Sequence, residues 1–310
     1  MRSLRLFAAV CAAVVSLTAV PARADLKVVA TLPDLAALAR AVGGDKADVT
    51  ALALSTQDPH FVDAKPNLAL ALNRADLLIA AGLDLEIGWL PTLQLGARNS
   101  RIQTGNPGYL DASRSVNLQE VPAGQVDRSQ GDVHPGGNPH YLYDPRQALK
   151  VAAAIEARMS QLDGKNAATY KANLAKFTQE VQTAQAGWEK RLAGLKGVPV
   201  IAYHRTTAYL QDWLGFTTLA FLEPKPGIPP NPSHVAQVLA KGKASNVKLV
   251  VREDYYPDNI AKLVASKIPA ALVTLPGGTD FRSGQTYVQR MELMVTRLEQ
   301  GLAGKGGMTP

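Results

Sequence analysis

Residues 166–195, with the sequence NAATYKANLAKFTQEVQTAQAGWEKRLAGL, decide the fold of this chain. Apolar side chains recur there at steps of three and four residues, which is the spacing of one face of an α-helix. They are Tyr170, Leu174, Phe177, Val181, Ala184, Trp188, Leu192 and Leu195. At about 1.5 Å per residue such a helix is about 45 Å long, which exceeds the width of one small lobe. We therefore predict a helix that contacts two lobes; the alternative is a surface helix of one large domain.

Short apolar and β-branched runs lie on both sides of that helix and alternate with helix-like stretches. They are LKVVATL (26–32), DVTALAL (48–54), DLLIAAG (76–82), VPVIAYH (198–204), FTTLAFL (216–222), VKLVV (247–251) and AALVTL (270–275). Runs of this kind, separated by amphipathic helices, are typical of parallel sheets that are covered on both faces. We therefore predict an α/β fold with two lobes, each a mostly parallel four-stranded sheet flanked by helices, joined by one long backbone helix.

This arrangement divides the chain into four parts. A signal peptide spans residues 1–24, a first lobe spans 25–145, a helical region that includes the linking helix spans 146–195, and a second lobe spans 196–310. Within the first lobe, residues 119–139 are rich in Gly, Pro, Gln and Asp and have no apolar period. We expect a mobile loop there.

The N-terminus has the features of a secretory signal. Arg2 and Arg5 precede an apolar run from Leu6 to Val20, and Ala-Arg-Ala at 22–24 is a small-x-small cleavage site. Cys11, the single cysteine, lies inside this segment, after a valine and too early to be a lipid-attachment site. We therefore expect a secreted chain that has no lipid anchor, no disulfide and no thiolate metal site.

The charge of the chain is mildly basic, at +7 with 33 Lys and Arg residues against 26 Asp and Glu residues. The basic residues are scattered and are not interleaved with aromatic side chains, unlike those of a nucleic-acid-binding surface. We therefore expect no nucleic acid among its partners.

Histidines supply the candidate chemistry. His60, His204 and Asp280 lie at or after the carboxyl ends of predicted strands, and His140 directly precedes a predicted helix. In open parallel sheets the carboxyl ends of the strands form the ligand-binding crevice, so these residues from both lobes can converge. Three imidazoles and one carboxylate form a four-ligand set that suits zinc better than manganese or calcium. A histidine at a strand end is also often a hydrogen-bonded or surface residue, so both interpretations stay open here.

Three other residues have weaker claims on such a site. His134 lies in the expected loop and is either a transient extra ligand or a solvent-facing residue. Glu253 follows the strand 247–251 and either orients ligands or belongs to a solvated acidic turn. His234 lies just inside a predicted helix, and we expect it at the surface.

Longer segments resemble one family of bacterial metal receptors. They are STQDPH (55–60), ADLLIAAGLDLEIGWLP (75–91), GDVHPGGNPHYLYDPRQAL (131–149), VIAYHRTTAYLQDWLGF (200–216), LEPKPGIPPNPSHVAQV (222–238) and TLPGGTD (274–280). In this order, and over nearly the whole mature chain, they make the chain similar to the cluster A-I solute-binding proteins. These are the metal receptors of bacterial ABC importers with a single helical backbone between two lobes.

The resemblance implies that His60, His140, His204 and Asp280 are the metal ligands and that the chain is not an enzyme. The position of His204 is usually His in the zinc receptors and often Glu in the manganese receptors, so the resemblance favours one Zn²⁺ per chain over Mn²⁺. It also implies a periplasmic location and delivery of the ion to a membrane permease with its cytoplasmic ATPase. A monomer is expected by analogy.

The loop at 119–139 departs from the family pattern. Many zinc receptors have a long His- and Asp-rich loop there, whereas this loop contains only His134. Loading by a periplasmic zinc metallochaperone is therefore an alternative to capture by the loop. Because the linking helix is stiff, we expect metal binding to rearrange this loop rather than close a wide hinge.

Three other functions stay open from the sequence. A manganese or iron ion receptor of the same family would need only a change of metal. A metal-chelate receptor could use Tyr141, Tyr143, Arg205, Tyr209, Tyr255 and Tyr256, although core packing explains most of them. A secreted zinc hydrolase would keep one metal position open for water, with Asp280 as the base instead of a ligand.

Overall fold

The computed structural model describes residues 26–124 and 126–304, so the predicted signal peptide and Cys11 lie outside the described residues. The first lobe contains a sheet of four parallel strands in the order β2-β1-β3-β4. Its elements are β1 (Leu26–Ala30), α1 (Pro33–Gly43), β2 (Ala47–Ala51), α2 (Pro66–Asn73), β3 (Leu77–Ala80), α3 (Leu90–Ala97) and β4 (Tyr109–Asp111).

Two helices follow the first lobe. α4 (Pro145–Leu162) begins with a proline in its first turn, and Asp144 caps it by accepting a hydrogen bond from the backbone N–H of Arg146. α5 (Ala167–Arg191) is the predicted linking helix. It has 25 residues and is about 37 Å long.

The second lobe repeats the architecture of the first. Its elements are β5 (Pro199–Ala202), α6 (Ala208–Leu214), β6 (Thr217–Phe221), α7 (Pro232–Ala244), β7 (Leu249–Glu253), α8 (Asn259–Lys267), β8 (Ala271–Leu275) and α9 (Tyr287–Leu302). The four strands are parallel, in the order β6-β5-β7-β8. The prediction of two parallel four-stranded sheets joined by a long helix is confirmed.

α5 contacts both lobes through its buried face. Near its N-terminal end, Asn173 donates a hydrogen bond to the carbonyl of Val42 in α1. Near its C-terminal end, Trp188 and Arg191 bond to Glu292 in α9. The helix ends four residues before the predicted end, and a 3-10 turn at Ala193–Leu195 leads into β5.

One hydrophobic core runs through the centre of the molecule. It combines the inner faces of both sheets with apolar residues of α1, α4, α5, α6 and α9, and it includes Tyr170 and Trp188 of the predicted stripe. Each sheet has a second, smaller core on its outer face, beneath α2 and α3 in the first lobe and beneath α7 and α8 in the second. Because the two inner faces share a core, the carboxyl ends of both sheets are held at a fixed separation.

Two features of the chain differ from a regular alternation of strands and helices. β4 has only three residues and was not among the predicted runs. The segment 119–139 has neither an α-helix nor a strand in its described part, and contains a single 3-10 turn at Arg128–Gln130. None of the described helices is long and apolar enough to cross a membrane.

Candidate metal centre

His60 lies in the loop that follows β2. Its Nδ1 lies 2.7 Å from Oδ1 of Asp58, and the same oxygen accepts a hydrogen bond from the backbone N–H of His60 at 3.0 Å. Trp89 anchors this loop by donating an indole N–H to the carbonyl of Pro59. Because Nδ1 is directed at a carboxylate, Nε2 is the nitrogen of His60 that faces the cleft.

His204 lies two residues after the end of β5 and is almost completely buried. Its Nδ1 lies 2.6 Å from Oε2 of Glu223, a buried residue that follows β6. This is the same arrangement as that of His60 with Asp58, now in the other lobe. A carboxylate on the outer nitrogen of a histidine holds the ring in one orientation and increases the basicity of the inner nitrogen.

His140 is held by the segment that leads into α4. Its backbone N–H donates to Oδ1 of Asn138, and Asn138 donates in turn to the carbonyl of Arg205 in the second lobe. Nε2 of His140 is buried and has no hydrogen-bond partner among the described residues. A buried nitrogen without a partner is costly in a folded protein, and a bound cation would satisfy it.

The structure brings His60, His140 and His204 together at the boundary of the two lobes. Their ring centroids are 5.3 to 5.4 Å apart in each pair, and one potential ligand atom from each residue lies within 4.8 Å of the others. Three imidazole nitrogens that converge in this way suit a divalent ion such as zinc.

His134 is half-buried and lies next to this triad. Its Nε2 is 3.3 Å from Nε2 of His60, and the two ring centroids are 5.4 Å apart. His134 belongs to the loop 119–139, which therefore reaches the triad. His134 therefore contacts the triad, a contact that could not be decided from the sequence.

Asp280 lies apart from the triad in the structure. It is exposed and does not belong to the group of converging ligand atoms. Its Oδ1 caps the 3-10 turn Phe281–Ser283 by accepting from the N–H of Ser283, and its backbone N–H donates to Gln285. The preceding Thr279 donates hydrogen bonds from its backbone and hydroxyl to Asp34 in α1.

Burial determines the protonation state of the histidines. It lowers the pKa of His204 to about 3 and that of His134 to about 4, and the proximity of His60 adds to both shifts. The pKa of His140 is also lowered, by burial first and then by His204 and His60. These imidazoles are therefore neutral at neutral pH, which is the form that binds metal.

The carboxylates around the triad have shifted pKa values as well. Burial raises the pKa of Glu223 to about 7, although the N–H of Gly227 opposes this shift. Burial alone would raise the pKa of Asp58, but the contacts with His60 outweigh it and the pKa is lowered. An ionised Asp58 adds negative charge beside the triad.

Glu253 is buried near the site without contacting the triad. Thr206, two residues after His204, donates its hydroxyl to Oε1 of Glu253, and Oε2 has no partner among the described residues. Burial raises the pKa of Glu253 to about 7. The alternative of a solvated acidic turn is therefore wrong for Glu253.

Most of the tyrosines considered for a chelate pocket take part in packing and hydrogen bonds of the protein interior. Tyr141 donates to the carbonyl of Ala81 and Tyr209 to the carbonyl of Asn138, and both rings are fully buried. Tyr256 stacks on Tyr203 at 4.4 Å. His234 is half-buried, and its Nε2 lies 2.9 Å from the carbonyl oxygen of Phe221, away from the triad.

The fold and the site define a class: a two-lobed α/β protein with three converging histidines between the lobes. The family described as zinc-uptake complex component A, periplasmic, matches residues 28–301, and the chain belongs to this family. Its members are the substrate-binding components of ABC importers for metal ions, which act with a permease and an ATPase. The chain is therefore a solute-binding protein and not an enzyme, which removes the zinc hydrolase alternative.

Some of the relatives that are similar to the chain are named for zinc uptake, and others are named for manganese transport. The high-affinity zinc uptake system protein ZnuA of Paracoccus denitrificans is 25% identical over 231 residues, which cover 66% of this chain and 69% of that protein. The manganese ABC transporter substrate-binding lipoprotein PsaA of Streptococcus pneumoniae is 23% identical over 287 residues, which cover 90% of this chain and 89% of that protein.

Solved structures share the fold. A crystal structure of ZnuA gives a TM-score of 0.74 at 20% identity and covers 90% of this chain and 100% of the other. The structure of the Mn-bound periplasmic metal binding protein from Candidatus Liberibacter asiaticus gives a TM-score of 0.73 at 19% identity, with 89% and 99% of the chains covered.

Proposed function

We propose that this chain is the zinc-binding component of its importer, and that it holds one Zn²⁺ between His60, His140 and His204. The observation that supports this most is the convergence of the three imidazoles, one of which has a buried nitrogen without a partner. Zinc accepts neutral imidazole ligands at about 2.0 to 2.1 Å, whereas magnesium, calcium and manganese favour oxygen ligands.

The carboxylates behind two of the histidines favour the same metal. Asp58 and Glu223 each contact Nδ1 of a histidine, so that Nε2 is the atom directed at the ion. Histidine ligands of zinc commonly have such carboxylate partners. The donor set that faces the ion is therefore rich in nitrogen, and the oxygen atoms lie behind it.

For the fourth ligand, we propose His134. On a tetrahedral zinc with bonds of about 2.0 to 2.1 Å, two ligand nitrogens are about 3.3 Å apart. The Nε2 atoms of His60 and His134 have this spacing. Asp280, the ligand that the family resemblance implies, is the alternative, and it would need the exposed turn at Phe281–Ser283 to release its carboxylate.

A manganese receptor is the second candidate, and Asp280 is the residue on which it depends. If Asp280 replaced His134, the site would gain an oxygen ligand and become more suitable for manganese. The similarity to the manganese-binding PsaA makes this candidate worth testing. A chelate receptor is less suitable, because the tyrosines that could line its pocket bond to backbone carbonyls in the interior.

We further propose that the mature chain is a periplasmic monomer released by cleavage of its signal peptide, without a lipid anchor. The position of Cys11 within the apolar run supports the absence of an anchor. Because the loop 119–139 has only His134, we propose loading by a periplasmic zinc metallochaperone as an addition to direct capture.

Competitive titration of the stripped mature protein with Zn²⁺, Mn²⁺ and Fe²⁺ tests the choice of metal. We expect one Zn²⁺ per chain, bound more tightly than Mn²⁺ or Fe²⁺, and a large loss of affinity in His204→Ala. His234→Ala is the matched control, since His234 lies outside the triad and should leave the affinity unchanged. Preference for Mn²⁺ would support the second candidate, and failure to bind any free ion would contradict both.

A further inference from the structure

Glu223 contacts both a proposed metal ligand and a turn at the edge of the cleft. Its Oε2 lies 2.6 Å from Nδ1 of His204 and accepts a hydrogen bond from the backbone N–H of Gly227 at 3.2 Å. The side chain is buried. One oxygen atom thus joins the ring of His204 to the turn 225–228.

The turn 225–228 fits closely against the segment that carries His134. The backbone N–H of Asp132 donates to the carbonyl of Pro226 at 2.8 Å. Gly131 has φ +85°, and a Cβ atom there would lie 2.3 Å from that carbonyl oxygen. Gly227 has φ +73°, and a Cβ atom there would lie 2.0 Å from Oδ2 of Asp132. We call the contacts of residues 131–132 with residues 226–227 the latch; they require glycine on both sides.

The latch also lies close to His134, whose ring has a further hydrogen bond to the backbone of Leu83. This residue follows Asp132 by two positions, and its Nε2 lies 3.3 Å from that of His60. When the latch is closed, the segment holds His134 against the triad. Opening the latch would move His134 away and expose the triad to solvent.

We propose that Glu223 is a positioning residue that couples the orientation of His204 to the closure of the latch. This inference rests on the proposed function, because it concerns release of the ion from the same histidines. Loss of the bond from Gly227 frees Glu223 to move, and His204 then loses the partner that fixes its ring. Loss of the metal at His204 loosens the latch by the same connection.

Asp58 provides a matched control. It contacts Nδ1 of His60 at 2.7 Å, as Glu223 contacts Nδ1 of His204. The described hydrogen bonds of its carboxylate go to His60 alone, and none joins it to the latch. Loss of Asp58 should therefore weaken metal binding without altering the latch.

Rates of zinc release to an excess of chelator test the coupling. Glu223→Ala and Asp58→Ala should each release Zn²⁺ about 10 to 100 times faster, as is typical when the outer partner of a histidine ligand is lost. Gly131→Ala, which opens the latch, should accelerate release at least about tenfold in the wild-type and Asp58→Ala backgrounds, but less than about threefold in Glu223→Ala. An equal acceleration by Gly131→Ala in all three backgrounds would overturn the proposal.

Hydrogen exchange of the metal-free protein tests the connection without zinc. The amide of Asp132 should exchange at least about tenfold faster in Glu223→Ala. It should be unchanged in Asp58→Ala and restored in Glu223→Gln, which keeps an oxygen acceptor. Unchanged exchange in Glu223→Ala would overturn the coupling. Failure of the proposed function is distinct from this, since it would appear as absent zinc binding by the wild type.

Discussion

The guanidinium of Arg290 in α9 is fully buried between the lobes, with its Nε 4.0 Å from a carboxylate oxygen of Asp34 in α1. The same side chain donates to the carbonyl of Pro276 and lies over the ring of Tyr143 at 4.2 Å. Arg290 therefore connects α1 of the first lobe with α9 of the second. It also contacts the segment after His140, through Tyr143, and the segment before Asp280, through Pro276.

Replacement of Arg290 should destabilise the fold strongly. In Arg290→Met, we expect the free energy of unfolding to fall by about 3 to 5 kcal/mol, because Asp34 is left as a buried charge with fewer partners. Denaturant unfolding monitored by circular dichroism measures this. Arg282→Met, at an exposed position in the same lobe, should change stability by no more than about 0.5 kcal/mol and is the control. Equal stability of the two variants would refute a structural role for the pair.

The pKa of Glu253 predicts a specific dependence of stability on pH. Burial raises its pKa to about 7 in the folded protein, above the unfolded value of about 4.3. The carboxyl group of Glu253 therefore binds its proton more tightly in the folded state than in the unfolded state. The stability that this difference contributes is complete below about pH 4.3 and is lost as the pH rises through about 7.

Glu253→Gln, which cannot ionise, should remove this dependence. In metal-free protein at pH 8 the variant should be more stable than the wild type, by on the order of 3 kcal/mol, and the difference should shrink towards pH 5. Urea unfolding at a series of pH values gives the result. Glu180→Gln, at an exposed position in α5, should follow the wild type at every pH. A difference that grows on acidification would contradict the assigned pKa shift.

Substitution of His134 and Asp280 in parallel decides the fourth ligand. We expect His134→Ala to lower zinc affinity by a factor of at least about 10 to 100, because it removes a nitrogen beside His60. A loss of this size is typical when the outer hydrogen-bond partner of a histidine ligand is removed, and loss of a ligand should cost at least as much. Asp280→Ala should leave the affinity close to that of the wild type, because its carboxylate caps an exposed turn. Isothermal titration with a competing chelator measures both. The opposite ranking would establish Asp280 as the ligand and show that its turn rearranges on binding.

Zinc should stabilise the protein through the triad. At a free zinc concentration of about 100 times Kd, binding adds about 2.7 kcal/mol to the free energy of unfolding. Thermal unfolding with and without zinc should show this as a higher melting temperature, which a chelator reverses. In His60→Ala the shift should be greatly reduced. A full shift in that variant would place the stabilising zinc at another site.

The sequence was sufficient for much of the fold and for the triad. The apolar stripe from Tyr170 to Trp188 identified the helix between the lobes, because burial of one helix face imposes a helical period. His60 and His204 could be found because they follow β2 and β5, and the carboxyl ends of parallel strands meet at one edge. β4 was missed because an edge strand of three residues leaves no apolar run.

The hydrogen-bond partners of the triad could not be predicted from the sequence. Glu223 also follows a strand, β6, so its place at the sheet edge was open to the same argument. That its carboxylate would face His204 depends on the path of the turn 225–228, which no local pattern specifies. For Asp280, capping of the next turn by its own side chain competes with metal binding, and only the structure shows that it is engaged there.

X-ray absorption at the zinc edge, on the mature protein loaded with one equivalent of Zn²⁺, tests whether the three histidines hold the ion. We predict a four-coordinate zinc with at least three imidazole nitrogens at about 2.0 to 2.1 Å, and the loss of one imidazole in His140→Ala. A spectrum dominated by oxygen ligands, or an imidazole count unchanged in that variant, would contradict a zinc ion held between His60, His140 and His204.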